Sequence, residues 1–294
     1  MSIMSQLALF LVKEHKYKAI TGNLVLVGRQ KVNLSLEQAI VMLNSEGVAQ
    51  RPDADIQMDE STVGATGKTL TDHSFLSLFS DAKVSALDIT DYEGAEHIHD
   101  MNEPLPDHLE GIADFILDGG SIDNIFDAPA TIRNISRMLR PGGRAVFFNA
   151  ASYYPSAYGM YPPEWYFDFF AVNNFVDCKS YIGCFDNNEI LKDWDMFVWL
   201  PLYDTGQGLT YFRSDFVTAT PRNMFCVVIA EKGPESTWNK SPVQYHYRPA
   251  EQKELYGQAA IRFAQSPRPI FVVERYSPQL PPNYKFVGTW AGSE

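Results

Sequence analysis

The sequence predicts an α/β protein with a mostly parallel sheet and helices on both faces. Between residues 24 and 231, short apolar runs alternate with segments of helical periodicity, as in parallel strands joined by crossover helices. Several of the runs stop at Gly or Asp, residue types that favour turns. The predicted strands are the seven segments 24–27, 84–87, 95–98, 113–117, 144–148, 176–184 and 223–231.

Helices are predicted between these strands and after them. Ser35 has the position of an N-cap for a helix to about Glu46, because Ala39 and Leu43 then share one apolar face. The run Pro141-Gly142-Gly143 is a stop signal, since proline cannot continue a helix and glycine tolerates left-handed dihedral angles. Residues 49–68 are polar and predict a long loop. The other predicted helices are 74–80, 128–139, 163–173 and 250–264.

The chain predicts two regions of unequal size. Residues 1–232 carry the alternating pattern and predict the α/β domain. Residues 233–294 predict a C-terminal extension made of a linker, one helix and a proline-rich tail.

Composition excludes several classes of protein. The 294 residues include 24 Lys plus Arg against 36 Asp plus Glu, a formal charge of -12, which argues against a nucleic-acid-binding face. No apolar run approaches the length of a membrane span. The three cysteines show no paired metal spacing, so we expect reduced thiols, a cytoplasmic location and no metal site.

Polar residues and glycines gather where the predicted strands end. In open parallel sheets, ligands bind beyond the carboxyl ends of the strands. Two interpretations remain open, because aspartate at a strand end also serves as an ordinary turn or capping residue. The strand ends carry Gly28 to Gln30, Asp88, His99 to Met101, Asp118 to Gly120, and Asn149.

Two longer motifs carry a family resemblance. They read VSALDITDYEGAEHIHDMNEPLP at 84–106 and DGGSIDNIFDAPATIRNISRMLRPGG at 118–143. In these segments the chain resembles class I S-adenosylmethionine-dependent methyltransferases, with the closest likeness to a bacterial group acting on small molecules or sugars. The resemblance implies a Rossmann-like sheet with its first strand between the second and the fourth, and its last strand antiparallel.

The resemblance implies a cofactor, S-adenosylmethionine, and a role for each matching position. Asp88, with Ile89 beside it, would hold the ribose hydroxyls, since a carboxylate accepts both hydroxyl protons. Asp100 and Met101 would flank the adenine. Asp118 and Gly119 would lie near the methionine part, where glycine permits close approach of backbone to ligand.

The loop after the first strand departs from the family pattern. The family has an acidic residue and three spaced glycines there, whereas VLVGRQKV keeps only Gly28. Leu26, Gln30 and Val32 occupy the other positions. We therefore predict that Gly28 and Gln30 contact the cofactor, with the amide of Gln30 replacing backbone contacts.

The acceptor side departs from the resembling group as well. That group has Glu-His after the fourth strand and His-Gly after the fifth, where this chain has Asp123-Asn124 and Tyr158-Gly159. Asp123 is the predicted base, and Tyr158 is predicted to orient the nucleophile, because a hydroxyl that titrates near 10 is a poor base. The segment 151–165 is predicted to close over the transferred methyl group.

Two functions follow from these patterns. The first is a small-molecule methyltransferase, methylating oxygen or nitrogen, for example in natural-product or sugar biosynthesis. The alternative is a protein of this fold that binds S-adenosylmethionine for a different reaction or without turnover. The expected partner is a small-molecule substrate, with neither nucleic acid nor membrane, and the sequence predicts no oligomeric state.

Overall fold

A mixed sheet of nine strands organises the computed structural model, which describes residues 2–62, 64–152, 157–186, 190–201, 223–244, 247–271 and 284–293. A separate parallel pair of short strands lies beside it. In chain order the elements are β1 Ser2–Ile3, α1 Ser5–Tyr17, β2 Asn23–Val27, β3 Lys31–Val32, α2 Leu36–Glu46, α3 Asp72–Ser77, β4 Lys83–Asp88, β5 His97–Ile98, β6 Ala113–Asp118, α4 Ala128–Met138, β7 Leu139–Ala150, α5 Pro163–Val172, β8 Asp177–Phe185, β9 Trp194–Trp199, β10 Asn223–Glu231, α6 Ala250–Gln265 and β11 Tyr284–Trp290.

The strand order of the large sheet is β11-β9-β8-β10-β7-β6-β2-β4-β5. Strands β5, β4, β2, β6 and β7 are parallel, and β10 runs antiparallel between β7 and β8. The first predicted strand, β2, therefore lies between the second, β4, and the fourth, β6. The predicted neighbours and the antiparallel last strand are confirmed.

Helices cover both faces of the sheet, as predicted. Leu24 and Leu26 of β2 point into a core with α1, α2 and α3. Val25 and Val27 of the same strand point into a second core with α4, α5 and α6. This alternation is what the period of a β-strand requires when both faces are buried.

The prediction of seven strands is wrong, because β9 and β11 extend the sheet at one edge. Strand β9 is buried on both faces apart from Asp195, which is half-buried, so its sequence shows no alternation of apolar and polar residues. Strand β11 lies in the segment read as a proline-rich tail, and a register shift at Gly288 interrupts its pairing with β9. The residues after 232 thus contribute α6 and β11, while a domain boundary at that point stays a prediction.

Local signals set most helix ends. Ser35 and Gln38 form a capping box at the start of α2, and Gly47 ends the helix at φ 68°. The predicted helix 128–139 is confirmed to within one residue, since α4 ends at Met138. The residues that follow, Pro141 included, join β7 through a register shift beside Ala113. Among the described residues, no helix combines the length and apolar character that a membrane crossing requires.

Candidate functional site

The predicted site residues lie at or just after the carboxyl ends of the parallel strands, and therefore at one end of the sheet. The chain passes from β2 to β4 and β5 on one side, and then returns to β6 and β7 on the other. The carboxyl ends of β2 and β6 therefore border the crevice where strand order reverses, which is the usual ligand position in such sheets.

Asp88 is the last residue of β4 and is half-buried. Its Oδ1 accepts a hydrogen bond of 2.7 Å from the backbone N–H of Ile89, whose side chain is 60% exposed. The carbonyl of Asp88 accepts from the backbone N–H of His99 at 2.9 Å, which ties the ends of β4 and β5 together. The Asp88 carboxylate keeps acceptor capacity beyond this one bond, as a ribose-binding group requires.

Asp100 and Met101 follow β5, and their side chains go to different environments. Oδ1 of Asp100 accepts from the backbone N–H of Asn102 at 2.9 Å and from its Nδ2 at 2.7 Å. These bonds, the backbone one first, lower the pKa of Asp100 below its usual value. Met101 is only 4% exposed and packs in the core on the α4 side of the sheet.

Asp118 ends β6 and is fully buried. It accepts backbone hydrogen bonds from Ser121 at 2.6 Å and from Ile122 at 3.3 Å. Burial nevertheless raises the pKa of Asp118 from 3.8 to about 7, and the nearby charge of Asp123 adds to the rise. The carboxyl group thus exchanges its proton near neutral pH inside the protein.

Asp123 and Tyr158 are joined through the main chain. The carbonyl of Asp123 accepts from the backbone N–H of Tyr158 at 2.7 Å. The Asp123 carboxylate is buried and accepts from Asn124 Nδ2 at 2.9 Å, while burial raises its pKa to about 6. The ring of Tyr158 is 75% exposed and meets the exposed ring of Phe126 edge to face, with centroids 5.8 Å apart.

Gly28 and Gln30 lie in the loop that follows β2. Gly28 has φ 73°, a left-handed conformation that glycine adopts without strain. Gln30 is fully buried, and its Nε2 donates to the carbonyls of Val27 at 3.1 Å and Gly28 at 3.0 Å. The amide group that was expected to face the cofactor is thus bonded to the turn itself.

The structure also reveals polar groups that sequence reasoning missed. Oδ2 of Asp72 accepts from the backbone N–H of Gln30 at 2.9 Å, and Arg29 lies 3.7 Å from the same carboxylate. Behind β7, the buried hydroxyl of Tyr166 donates to Oδ1 of Asn149. Asp72 is the first residue after the helix cap Thr71, and nothing in this sequence position pointed to a contact with Gln30.

A groove of about 810 Å³ lies at the opposite end of the sheet, and no predicted site residue lines it. Its carboxylates, Asp177 and Glu231, both pair with Arg268. Arg268 and Arg144 also share the buried carboxylate of Glu14. This network joins α1, β7, β8, β10 and the segment after α6, so these charges serve packing.

Comparison with solved structures gives distant similarities. No protein-family model and no curated protein matches the chain. One similar structure is the CMeT domain of the citrinin polyketide synthase, with TM-score 0.37, 10% identity, and 78% of this chain and 52% of that one covered. Another is phosphoethanolamine N-methyltransferase 2 of Haemonchus contortus in complex with S-adenosyl-L-methionine, with TM-score 0.36, 11% identity, and coverage of 76% and 52%.

A third similar structure is the O-methyltransferase from a trans-AT PKS multienzyme of Brevibacillus brevis, in complex with S-adenosyl-L-homocysteine. It has TM-score 0.39 and 10% identity, with 89% of this chain and 82% of that one covered. The chain spans about half, 52%, of the length of the first two. The fold assignment rests on the strand order itself: the chain has an α/β Rossmann-like fold, as predicted. The roles of the individual site residues stay predictions.

Proposed function

We propose that the protein is an S-adenosylmethionine-dependent methyltransferase that acts on a small-molecule acceptor, at oxygen or nitrogen. One observation carries this proposal: three aspartates, Asp88, Asp100 and Asp118, lie at or just after the carboxyl ends of β4, β5 and β6. These strands are parallel, so the three residues lie at the same end of the sheet, around the point where the strand order reverses. A cytoplasmic location and a role in small-molecule biosynthesis belong to the same proposal.

The adenosine half of the cofactor fits the described residues. Asp88 offers a half-buried carboxylate for two hydroxyl groups, and Asp100 has its carboxylate held in place by Asn102. The methionine half does not fit equally well, because the buried side chain of Gln30 packs against Gly119. Cofactor binding thus requires a change at Gln30.

Bound S-adenosylmethionine would supply a sulfonium methyl group with a leaving group already activated by its charge. The protein then needs to align the acceptor and exclude water, and alignment alone is worth about 7 to 11 kcal/mol in the best intramolecular systems. Asp123, with a pKa raised to about 6, is largely ionised at neutral pH and can remove a proton from the acceptor. Tyr158 would orient the acceptor by hydrogen bonding.

A second candidate function is supported by the same departure at Gln30. In this alternative the protein binds S-adenosylmethionine for another reaction or without turnover. A side chain that fills part of the crevice favours weak binding or an unusual ligand orientation. The two candidates differ in turnover, which a methyl-release assay with a panel of hydroxyl and amine acceptors measures directly.

Both candidate functions require the protein to bind S-adenosylmethionine, and calorimetric titration with S-adenosylhomocysteine tests this binding. Asp88→Ala removes two charge-assisted hydrogen bonds to the ribose, worth roughly 1.5 to 3 kcal/mol each, so affinity should fall at least tenfold. The melting temperature of the free protein should barely move. Asp107→Ala, at a fully exposed aspartate in the segment that leads to the amino end of β6, is the matched control. Equal affinity of the two variants would leave Asp88 as a turn residue only.

A further inference from the structure

The Gln30 side chain occupies the crevice between the ends of β2 and β6. Gln30 is fully buried, although it lies in the loop that leaves the sheet. A Cβ built on Gly119 would lie 2.8 Å from the amide carbon of Gln30 and closer still to its amide oxygen. The amide of Gln30 therefore rests directly on the bare Cα of Gly119, which is the first residue after β6.

Glycine at this position has a structural consequence. The absence of a side chain lets another group approach the backbone closely. In this conformation that group is the protein's own glutamine amide, packed where the crevice of an open α/β sheet offers its ligand position. The space beside Gly119 is thus already filled.

Several contacts hold the loop in this closed arrangement. The backbone N–H of Gln30 donates to Asp72, and its Nε2 donates to the carbonyls of Val27 and Gly28. The next residues form β3, which pairs with β1. The first residue of β1, Ser2, donates its backbone N–H to the carbonyl of Gly119 at 3.4 Å. Because these contacts fix the backbone of the loop, a group can reach Gly119 only if the side chain of Gln30 rotates away.

We propose that Gln30 is a specificity-determining gate, which admits the nucleoside part of the ligand and excludes its amino-acid part until the side chain leaves Gly119. The inference rests on the proposed function, because it concerns the same crevice. By the predicted roles, the nucleoside groups would reach Asp88 and Asp100 at the ends of β4 and β5, on the far side of β2 from Gly119. The aminocarboxypropyl group of S-adenosylmethionine, predicted to lie near Asp118 and Gly119, would need the space over Gly119 itself.

The expected effect follows from the bonds that opening breaks. Moving the side chain breaks both Nε2 hydrogen bonds to the carbonyls of the turn. Two buried hydrogen bonds correspond to about a 10- to 100-fold change in an equilibrium constant. This factor weakens every ligand that must displace Gln30, and it leaves a ligand that stops short of Gly119 unchanged.

Two ligands and two matched variants test the gate by calorimetric titration. S-adenosylhomocysteine carries the aminocarboxypropyl group, and 5′-methylthioadenosine shares the nucleoside and the thioether sulfur but lacks that group. Gln30→Ala should tighten S-adenosylhomocysteine about tenfold or more and leave 5′-methylthioadenosine within about twofold. Gln6→Ala, at an equally buried glutamine whose Nε2 donates to the carbonyl of Lys192 near β9, should change neither affinity.

Melting curves establish that each variant is folded, and Gln30→Ser replaces Gln30→Ala if the alanine variant unfolds. Unchanged affinity of Gln30→Ala for S-adenosylhomocysteine, or equal tightening of both ligands, would overturn the gate and leave the proposed function standing. Failure of every variant to bind either ligand would instead overturn the proposed function. Selective tightening of S-adenosylhomocysteine supports both.

Discussion

The buried carboxyl group of Asp118 makes the stability of the protein depend on pH in an unusual direction. Its pKa is raised from 3.8 to about 7 by burial, so between these values the folded state binds a proton that the unfolded state has lost. The contribution of Asp118 to stability is then fully present below about pH 4 and is lost as pH rises through this window. Asp118→Asn keeps an acceptor for the backbone N–H groups of Ser121 and Ile122 but cannot ionise.

The size of the effect follows from the pKa. One pKa unit corresponds to 1.36 kcal/mol, and the folded group is half ionised at pH 7, so from pH 5 to pH 7 the ionisation of Asp118 costs the wild-type protein about 2 kcal/mol of unfolding free energy. The difference between Asp118→Asn and wild type should therefore grow by about 2 kcal/mol in favour of the variant over this range. Urea unfolding, followed by tryptophan fluorescence at pH 5, 6, 7 and 8, measures it.

The comparison must be made as a difference, because other buried carboxyls act in the same direction. Burial also raises the pKa values of Asp123 and Asp168, each to about 6. These groups remain in both proteins and largely cancel. Asp107→Asn, at a fully exposed site, controls for the loss of one charge. If the curves of wild type and Asp118→Asn ran parallel from pH 5 to pH 8, Asp118 would not carry the raised pKa.

Three further outcomes are expected. With the true acceptor, Asp123→Asn should lower kcat roughly a hundredfold or more, and the wild-type rate should rise with pH through about 6 as this group ionises; a steady-state pH profile checks both. Tyr158→Phe should lower kcat only modestly in the same assay, since the hydroxyl orients and does not take the proton. Glu14→Gln leaves the guanidinium groups of Arg144 and Arg268 without their shared carboxylate. The free energy of unfolding of Glu14→Gln, measured by urea titration, should fall by about 3 to 5 kcal/mol relative to wild type. An unchanged value would refute the stabilising role of the buried ion-pair network around Glu14.

The parallel half of the sheet could be predicted because its signals are local. Strand β2 ends just before Gly28, α2 begins with the capping box at Ser35, and β6 ends at Asp118. In each case a short apolar run or a helical face meets a residue that terminates it. Those neighbours in sequence determine the element, whatever lies across the sheet.

The added strands could not be predicted because β9 has no alternating pattern and β11 pairs with a strand that is distant in sequence. Strand β9 is buried on both faces apart from Asp195, and β11 begins 85 residues after β9 ends. The stacked rings of Phe185 and Trp194, with centroids 4.8 Å apart, show why aromatic residues gather there. A pattern that depends on tertiary partners leaves no period in the segment itself.

The candidate site, like the fold, has one part that the sequence predicts and one part that depends on contacts distant in sequence. This difference bears on function. The sequence predicts Asp88, Asp100 and Asp118 as site residues because the carboxyl ends of parallel strands lie at the same end of a sheet, which follows from the topology alone. The conformation of Gln30 depends on Asp72, which is 42 residues away in sequence, and on β3 pairing with β1. The departure from the family pattern therefore lies in a loop whose backbone the rest of the fold holds in place. A methyltransferase built this way would discriminate ligands by the Gln30 side chain, and position 119 must remain glycine as long as that side chain rests on it, because a Cβ there would collide with the Gln30 amide.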